Sequence, residues 1–192
     1  MTKVAIVVGH ARRDTFCEAL GRAYQEGADA AGHETRLFVL SKMSFDPILH
    51  EGFSQAQPLE PDLQRAQDAI GWAEHMVVVF PLWYGTLPAI LKGFIERVLQ
   101  RGFAIEPVAG VRGYRPLLTG KSARVIMTMG MPALVYRWYF GGHALKMLRR
   151  NILGFVGMAP VRSTLIGGVE TVSQDRRRRW IADIAALGRT AT

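Results

Sequence analysis

Short apolar runs alternate along this chain with segments in which apolar residues recur every three to four positions. The short runs are typical of strands buried on both faces of a parallel sheet, and the recurring pattern is typical of amphipathic helices. The predicted strands are residues 4–8, 34–40, 76–80, 123–128 and 161–166. The predicted helices are residues 16–31, 63–70, 88–100, a segment carrying Leu145, Leu148, Ile152 and Phe155, and residues 173–188. This alternation predicts one parallel sheet with helices on both faces and right-handed crossovers.

The residues after the first strand decide between two doubly wound strand orders. A dinucleotide-binding sheet carries G-x-G-x-x-G there, whereas this chain has Gly9-His10-Ala11-Arg12-Arg13-Asp14. No phosphate-loop Lys-Ser/Thr pair follows, which argues against a nucleotide triphosphatase. The sequence therefore predicts a flavodoxin-like α/β fold with five parallel strands in the order 2-1-3-4-5. Its switch point brings loop 9–17 beside loop 81–88.

The loop after the third strand gives the strongest indication of a ligand. Pro81 ends the strand because proline cannot donate to the ladder, and Pro88 suits the first turn of the next helix. Between them stand Trp83 and Tyr84, two large rings that are costly to leave in water. A flat aromatic ligand at the carboxyl edge of the sheet would explain both rings.

The loop after the first strand leads into a helix N-terminus, where free backbone N–H groups and the helix dipole favour a phosphate. His10, Arg12 and Thr15 add further donors. The alternative is structural, since Thr15-Phe16-Cys17-Glu18 is a capping box that stabilises a helix without any ligand. Cys17 is accordingly either a thiol of lowered pKa or a small packing residue.

Composition favours a single domain comprising residues 1–192. The chain is 49% hydrophobic, no Pro/Ser-rich linker divides it, and its apolar runs are too short to span a bilayer. The first residues enter a strand directly and lack signal-peptide features. Cys17 is the only cysteine, which fits a reducing compartment. We therefore expect a cytoplasmic protein whose membrane association is at most peripheral.

The net charge of +8 can indicate a nucleic-acid or anionic-membrane partner. The basic residues are scattered, however, over Arg12-Arg13, Arg112 with Arg115, Arg149-Arg150 and residues 176–179. No recognition helix, zinc-finger spacing or aromatic RNP-type sheet accompanies them. We therefore expect a solvated basic surface and no nucleic-acid partner.

A phosphate held at His10–Thr15 and a ring system against Trp83 and Tyr84 describe a flavin along the edge of the sheet. Here the chain resembles the flavodoxin-like NAD(P)H:quinone oxidoreductases, the DT-diaphorase-like group with bacterial quinone reductases and ancillary subunits of potassium-efflux systems. The segment Phe80-Pro81-Leu82-Trp83-Tyr84-Gly85-Thr86-Leu87-Pro88, continued to Val98, is similar to the ring-binding motif of that family. The resemblance extends over nearly the whole chain.

The resemblance implies roles for three loops. The residues that match the ribityl- and phosphate-binding segment are His10, Thr15, Phe16 and Cys17, with Cys17 where the family often has asparagine. Those that match the loop lining the isoalloxazine ring are Pro81, Leu82, Trp83 and Tyr84. Those that match a Thr-Thr-Gly-Gly loop at the polar edge of the ring are Thr128, Met129, Gly130 and Met131, with Met131 replacing a glycine.

The resemblance also bears on the form of the flavin. Glu96 and Arg176 match positions that reach the adenosine portion in FAD-binding relatives, which favours FAD and leaves FMN possible. The structural alternative is that Glu96 pairs with Lys92 or Gln100 and that Arg176 is solvated.

Tyr136 and His143 match a tyrosine and a histidine that assist hydride transfer near the pyrimidine edge of the flavin, His143 with an offset of one residue. The alternative is a dimer-contact patch made of Tyr136, Trp138, Tyr139 and Phe140, since aromatic residues concentrate in interfaces. Both interpretations are compatible, because in this family the partner subunit closes the active site. We therefore expect a homodimer.

The resemblance implies a flavin-dependent NAD(P)H:acceptor oxidoreductase that reduces a quinone by two electrons in ping-pong turnover. Three alternatives stay open. The first is a flavodoxin-type electron carrier, which would tend to be acidic. The second is a regulatory subunit of a potassium-efflux system, which would bind a membrane partner. The third is a nucleic-acid-binding module, which would lack a chromophore. The sequence does not specify the acceptor or the choice between NADH and NADPH.

Overall fold

The computed structural model describes residues 1–52, 55, 57–108, 110 and 112–192. The strands are β1 (Lys3–Val8), β2 (Glu34–Val39), β3 (His75–Pro81), β4 (Ile105–Pro107), β5 (Tyr114–Pro116), β6 (Ser122–Met129) and β7 (Val161–Gly167). The helices are α1 (Phe16–Ala30), α2 (Pro61–Trp72), α3 (Ala89–Val98), α4 (Ala133–Trp138), α5 (His143–Lys146) and α6 (Gln174–Thr190). A short 3-10 turn, Leu40–Lys42, follows β2, and a π-helical turn, Met147–Leu153, continues α5.

The main sheet has five parallel strands in the order β2-β1-β3-β6-β7. Counted within this sheet alone, the order is the predicted 2-1-3-4-5, because β4 and β5 lie outside it. Each predicted strand agrees with the observed one to within one residue at either end. No helix in the described part of the chain is long and apolar enough to cross a bilayer.

Burial on both faces explains why the strands are apolar runs rather than alternating patterns. In β1, Ala5 and Val7 pack on the side of α2 and α3, whereas Val4, Ile6 and Val8 pack on the side of α1 and α6. All seven residues of β3, at the centre of the sheet, are buried. The central strand therefore ends at Pro81 in a fixed position from which the next loop emerges.

Helices α1 and α6 pack closely on one face of the sheet. A Cβ on Gly27 would lie 2.0 Å from the carbonyl oxygen of Ala185, and one on Gly188 would lie 2.1 Å from the carbonyl oxygen of Tyr24. Glycine is thus required at both positions for the two backbones to approach. This contact fixes the start of α6 relative to the start of α1.

The long loop 101–120 contains a hairpin that the sequence analysis did not predict. β4 and β5 pair antiparallel as a separate two-stranded sheet. Each strand has three residues, and the paired positions include Glu106 opposite Arg115 and Pro107 opposite Tyr114, so no apolar alternation marks it. Residues 109 and 111 of this loop lie outside the described residues.

The helix predicted to carry Leu145, Leu148, Ile152 and Phe155 is confirmed for the first three residues, which lie in α5 and the π-helical turn, and is wrong for Phe155. Gly141 and Gly142, with φ of 65° and 60°, separate α4 from α5, and the helix then widens into the π turn. The N–H of Gly154 donates to the carbonyl oxygen of Arg149, five residues earlier, at 2.9 Å. The π-helical turn ends at Leu153, so Phe155 lies beyond the helix and is exposed.

Candidate functional site

The loops at the carboxyl edge of the sheet enclose a depression of about 400 Å³. It lies at the switch point between β1 and β3, where the flavodoxin-like order places a ligand. Its lining residues are His10, Arg12, Asp14, Thr15, Phe16, Cys17, Pro81, Trp83, Thr128, Val169, Glu170 and Arg177. The structure thus brings together the two loops that the sequence analysis paired, and adds residues from the end of β7 and from α6.

The β1–α1 loop presents the N-terminus of α1 to this depression. The Thr15 hydroxyl accepts the N–H of Glu18 at 3.3 Å, which is the first half of the predicted capping box. The Glu18 carboxylate accepts the N–H of Asp14 at 3.1 Å rather than that of Thr15, because Asp14 adopts a left-handed φ of 54°. The N–H groups of Phe16 and Cys17 stand in the first turn, where no intrahelical acceptor exists.

The charge of Glu18 is compensated within the protein. Its carboxylate accepts hydrogen bonds from Lys42 at 2.5 Å and from Arg22 at 2.8 Å. Burial alone would raise the pKa of Glu18, but the hydrogen bonds from Lys42, Arg22 and the Asp14 N–H outweigh it and lower this pKa to about 2. An anion at the start of α1 therefore faces a neutralised carboxylate.

His10 and Trp83 form one wall of the depression. Their rings meet edge to face with centroids 5.1 Å apart. The Nδ1 atom of His10 accepts the N–H of Arg12 at 2.9 Å, which leaves the Nε2–H as the donor of a neutral ring. Burial, and then the charge of Arg12, lower the pKa of His10 below its ordinary value, so the ring is uncharged at neutral pH.

The loop after β3 is a strained two-residue turn. Trp83 and Thr86 exchange both N–H to carbonyl hydrogen bonds, at 3.1 and 2.9 Å. Tyr84 and Gly85 between them have φ of 49° and 78°, as a type I′ turn requires. A tyrosine with positive φ is strained, and such strain clusters at ligand sites. Tyr84 is fully exposed beside the depression without lining it.

Cys17 is a packing residue. Its Sγ atom lies 3.3 Å from the Oγ1 atom of Thr128, and both side chains are buried. Burial raises the pKa of Cys17 to about 11, although the hydrogen bond with Thr128 opposes this effect. The thiol is therefore protonated at neutral pH, which decides between the two interpretations of Cys17 in favour of packing.

Three predicted residues of the β6 loop, and Leu82 as well as Tyr84 of the β3 loop, do not line the depression. Leu82 donates its N–H to the carbonyl oxygen of Thr128 at 2.7 Å and so ties the two loops together. A Cβ on Gly130 would lie 3.1 Å from the Oε1 atom of Glu170, so Gly130 lies directly beside that lining residue. Met129 is buried in the core, and Met131 packs against it.

The two residues assigned to an adenosine lie outside the depression. Glu96 pairs with Lys92 at 2.5 Å, which was the structural alternative, and both line a different depression beside residues 47–52. Arg176 is exposed, with its guanidinium 5.4 Å from the ring centroid of Trp180.

Tyr136 and His143 do not line the depression either. Tyr136 is buried, and its hydroxyl accepts the N–H of Leu145 at 3.1 Å. Burial raises the pKa of Tyr136 above its ordinary value. His143 is exposed and lies over Gly141. Tyr136 is therefore not part of an exposed aromatic patch, whereas Trp138, Tyr139 and Phe140 are exposed.

Arg177 is the main site residue that the sequence analysis missed. Its Nη2 atom donates to the carbonyl oxygen of Val169 at 2.7 Å, and its guanidinium lies 5.7 Å from the ring centroid of Phe16. Its Nε atom is buried and has no hydrogen-bond partner among the described residues. Four consecutive arginines in the sequence gave no means of choosing Arg177 over Arg176.

The donor set fits the phosphate end of a flavin. The first turn of α1 offers N–H groups, Arg177 offers a buried donor without an acceptor, and Trp83 offers an aromatic wall. Oriented backbone N–H groups and a guanidinium are the donors that bind phosphate, and an aromatic wall suits a planar ring. Asp14 and Glu170 are the carboxylates of the lining.

The chain is similar to known proteins over nearly its whole length. The profile of a family described as having a flavodoxin-like fold matches residues 2–187. An uncharacterized NAD(P)H oxidoreductase of Haemophilus influenzae is 30% identical over 176 residues, which cover 88% of this chain and 86% of the relative. Ribosyldihydronicotinamide dehydrogenase (quinone) of Mus musculus is 26% identical over 95% of this chain and 89% of its own length.

A solved structure supports the same relationship. The NAD(P)H:quinone oxidoreductase from Methanothermobacter marburgensis superposes with a TM-score of 0.80 at 25% sequence identity, covering 97% of this chain and 94% of that one.

Proposed function

This chain belongs to the flavodoxin-like fold family, and on that premise we infer that it is a flavin-dependent NAD(P)H:quinone oxidoreductase. The observation that carries the assignment is the depression at the switch point, where the unpaired Nε of Arg177 lies beside the open N-terminus of α1. A buried donor without an acceptor is unfavourable, and an anion removes that penalty. The names of the relatives supply the class of reaction.

The residues divide between the two ends of the cofactor. The N–H groups of Phe16 and Cys17, with Thr15 and Arg177, hold the phosphate. His10, Pro81 and Trp83 line the ring end, together with Thr128. When bound, the flavin supplies reversible acceptance and donation of hydride. The protein contributes position and electrostatics, since the neutral His10 ring donates through Nε2 without adding a charge.

The turn at Tyr84 defines where substrates approach. Tyr84 projects fully into solvent beside Trp83, and Thr86 holds the turn closed. NAD(P)H and the quinone use this one opening in succession, which is the arrangement that gives ping-pong turnover. We expect parallel double-reciprocal plots when the oxidation of NADH or NADPH is measured at several concentrations of a benzoquinone. Intersecting lines, or no oxidation with either nucleotide in the presence of added flavin, would contradict this function.

The choice between FAD and FMN depends on the adenosine. Of the two residues that favour FAD, Glu96 is held by Lys92 on another surface, so the support for FAD is reduced to Arg176. Arg176 lies one residue from Arg177 at the start of α6, and its exposed side chain can turn toward an adenosine that leaves the depression. We retain FAD on that basis, with FMN as the alternative, and release of the bound flavin followed by chromatography identifies it.

The catalytic roles of Tyr136 and His143 stay predictions that follow from the resemblance. The hydroxyl of Tyr136 is engaged by Leu145, so a role in hydride transfer requires that hydrogen bond to break. A structural role for the hydroxyl requires no such change, because the hydrogen bond with Leu145 is already formed.

A second copy of the chain is the proposed occupant of the exposed aromatic patch, defined as Trp138, Tyr139 and Phe140. The side chains of Trp138 and Tyr139 are 79% and 81% exposed, and Phe140 packs edge to face on Tyr139. Large exposed rings of this kind mark interaction surfaces. Sedimentation velocity tests the homodimer: a species of twice 21.3 kDa supports it, and a monomer at micromolar concentration contradicts it.

A further inference from the structure

A second depression, of about 460 Å³, lies beside the amino end of the edge strand β7 and shares no residue with the flavin site. Four basic side chains form its rim: Arg137, Lys146, Arg149 and Arg150. Its floor is apolar and consists of Leu145, Met158 and Val161. We call it the cationic depression.

The four rim cations have no countercharge in the part of the chain that the structure describes. All four are exposed, and none forms an ion pair or a side-chain hydrogen bond there. Some cations elsewhere in the protein are paired, as Arg22 and Lys42 with Glu18 and Arg97 with Glu60 show. The lining of the cationic depression contains no carboxylate at all.

The sequence around the depression explains this excess of positive over negative side chains. Residues 107–169 contain nine Lys and Arg and no Asp or Glu. The rest of the chain has 15 basic and 16 acidic residues, so this single segment carries the whole net charge of +8. The interpretation of the basic residues as scattered is therefore wrong for the middle of the chain. The positive charge has a definite location, and the cationic depression lies within it.

Local backbone structure concentrates the cations further. The paired glycines Gly141 and Gly142 turn the chain between α4 and α5, so that Arg137 lies on the same depression as Lys146. The π turn carries Arg149 and Arg150, and both line the depression although they are adjacent in sequence. π-helical turns interrupt regular helices and occur frequently at functional sites.

We propose that the cationic depression binds a phosphate-bearing ligand, with the phosphate among the four cations and an apolar portion on Leu145, Met158 and Val161. Guanidinium groups donate pairs of parallel hydrogen bonds to phosphate oxygens, and three of the four cations are arginines. The apolar floor excludes water on one side, which strengthens the attraction between opposite charges.

Other occupants fit less well. A second copy of the chain centred on this depression would place the same four cations opposite one another, which is repulsive. An apolar partner would bury four unpaired charges. A phosphate dianion, supplied by a soluble phosphorylated molecule or by a lipid headgroup, satisfies both the charge and the donor geometry.

Two probes separate the soluble source from the lipid source. Inorganic pyrophosphate is titrated calorimetrically into the protein in the presence of saturating flavin, which fills any phosphate site at the carboxyl edge. In parallel, the protein is sedimented with vesicles of phosphatidylcholine alone and of phosphatidylcholine with phosphatidylglycerol. Pyrophosphate binding identifies a soluble ligand, and binding only to the phosphatidylglycerol vesicles identifies a headgroup. Absence of binding in both arms overturns the proposal.

A matched pair of variants locates the binding. Arg149→Gln with Arg150→Gln removes two rim cations, and Arg179→Gln with Arg189→Gln removes two exposed cations of α6 that line neither depression. We expect the rim variant to bind about tenfold or more weakly and the α6 variant to change less than about twofold, since net charge alone acts weakly at a screened surface. Equal weakening in both variants means that net charge alone governs binding, and the proposal fails. If the rim variant melts at a lower temperature, Lys146→Gln provides the same comparison with one charge removed.

Discussion

Arg177 lines the depression, and its Nε is buried without a hydrogen-bond partner in the part of the chain that the structure describes. We expect Arg177→Ala to weaken flavin binding by about 1.5–3 kcal/mol, the usual contribution of a charge-assisted hydrogen bond. Quenching of flavin fluorescence measures the affinity. The control is Arg179→Ala, two residues along the same helix and exposed. Equal affinities in wild type and Arg177→Ala would remove Arg177 from the site.

Removing the hydroxyl oxygen of Tyr136 tests whether this group has a structural or a catalytic role. This hydroxyl accepts the N–H of Leu145, so Tyr136→Phe leaves that N–H without its partner in a half-buried place. A structural role of the hydroxyl predicts a loss of about 1–3 kcal/mol in the free energy of unfolding and an unchanged rate of flavin reduction in stopped flow. A rate reduced roughly tenfold to a hundredfold with unchanged stability and flavin affinity would instead establish the catalytic role.

Glu18 gives the stability of the protein a defined dependence on pH. Because its folded-state pKa of about 2 lies below the ordinary value of 4.5, its contribution is present above pH 4.5 and is lost as the pH falls toward 2. We expect Glu18→Gln to lower the free energy of unfolding at pH 7 by on the order of 2 kcal/mol. At pH 3 the variant should lose less free energy of unfolding than at pH 7. Urea denaturation at both pH values measures this. The control is Glu26→Gln, an exposed carboxylate of the same helix, and an equal pH dependence in both variants would refute the assignment.

At the scale of secondary-structure elements, the contact between α1 and α6 positions the site. Helix α1 presents its N-terminus to the depression, and α6 presents Arg177 to it. Gly27→Ala would place a Cβ 2.0 Å from the carbonyl oxygen of Ala185 and force the helices apart. We expect a loss of stability of about 2 kcal/mol or more and weaker flavin binding. Gly113→Ala, which meets open space, is the control. Unchanged melting and flavin affinity in Gly27→Ala would contradict this role.

The accuracy of the sequence analysis differs between elements for physical reasons. Strands buried on both faces are continuous apolar runs, so β1, β3 and β6 were predicted to within one residue. The hairpin of β4 and β5 has no such pattern. The π turn was missed because residues 145–152 keep an apolar spacing that an α-helix also shows, and only the backbone reveals the difference.

At the scale of the whole molecule, the sequence predicts the edge of the sheet at which the depression lies, because the strand order alone determines it. The loops of His10 and Trp83 meet there as expected, whereas Glu96 and Tyr136 lie elsewhere. Their placement depends on which face of a helix turns toward the sheet, and on side-chain partners such as Lys92 and Leu145 that are distant from any motif. The location of the net positive charge in residues 107–169 was already present in the sequence, whereas the cationic depression was needed to show which of these cations lie together.

The central claim is that a flavin binds at the switch point between β1 and β3. The most direct test is a titration of the purified protein, stripped of any chromophore, with FAD and FMN, followed by flavin fluorescence. We expect quenching that saturates at one flavin per chain with a dissociation constant of about 1 µM or lower, which corresponds to at least about 8 kcal/mol. Fluorescence that stays unquenched with both flavins at micromolar concentration, in a folded protein that was colourless when purified, would contradict the account.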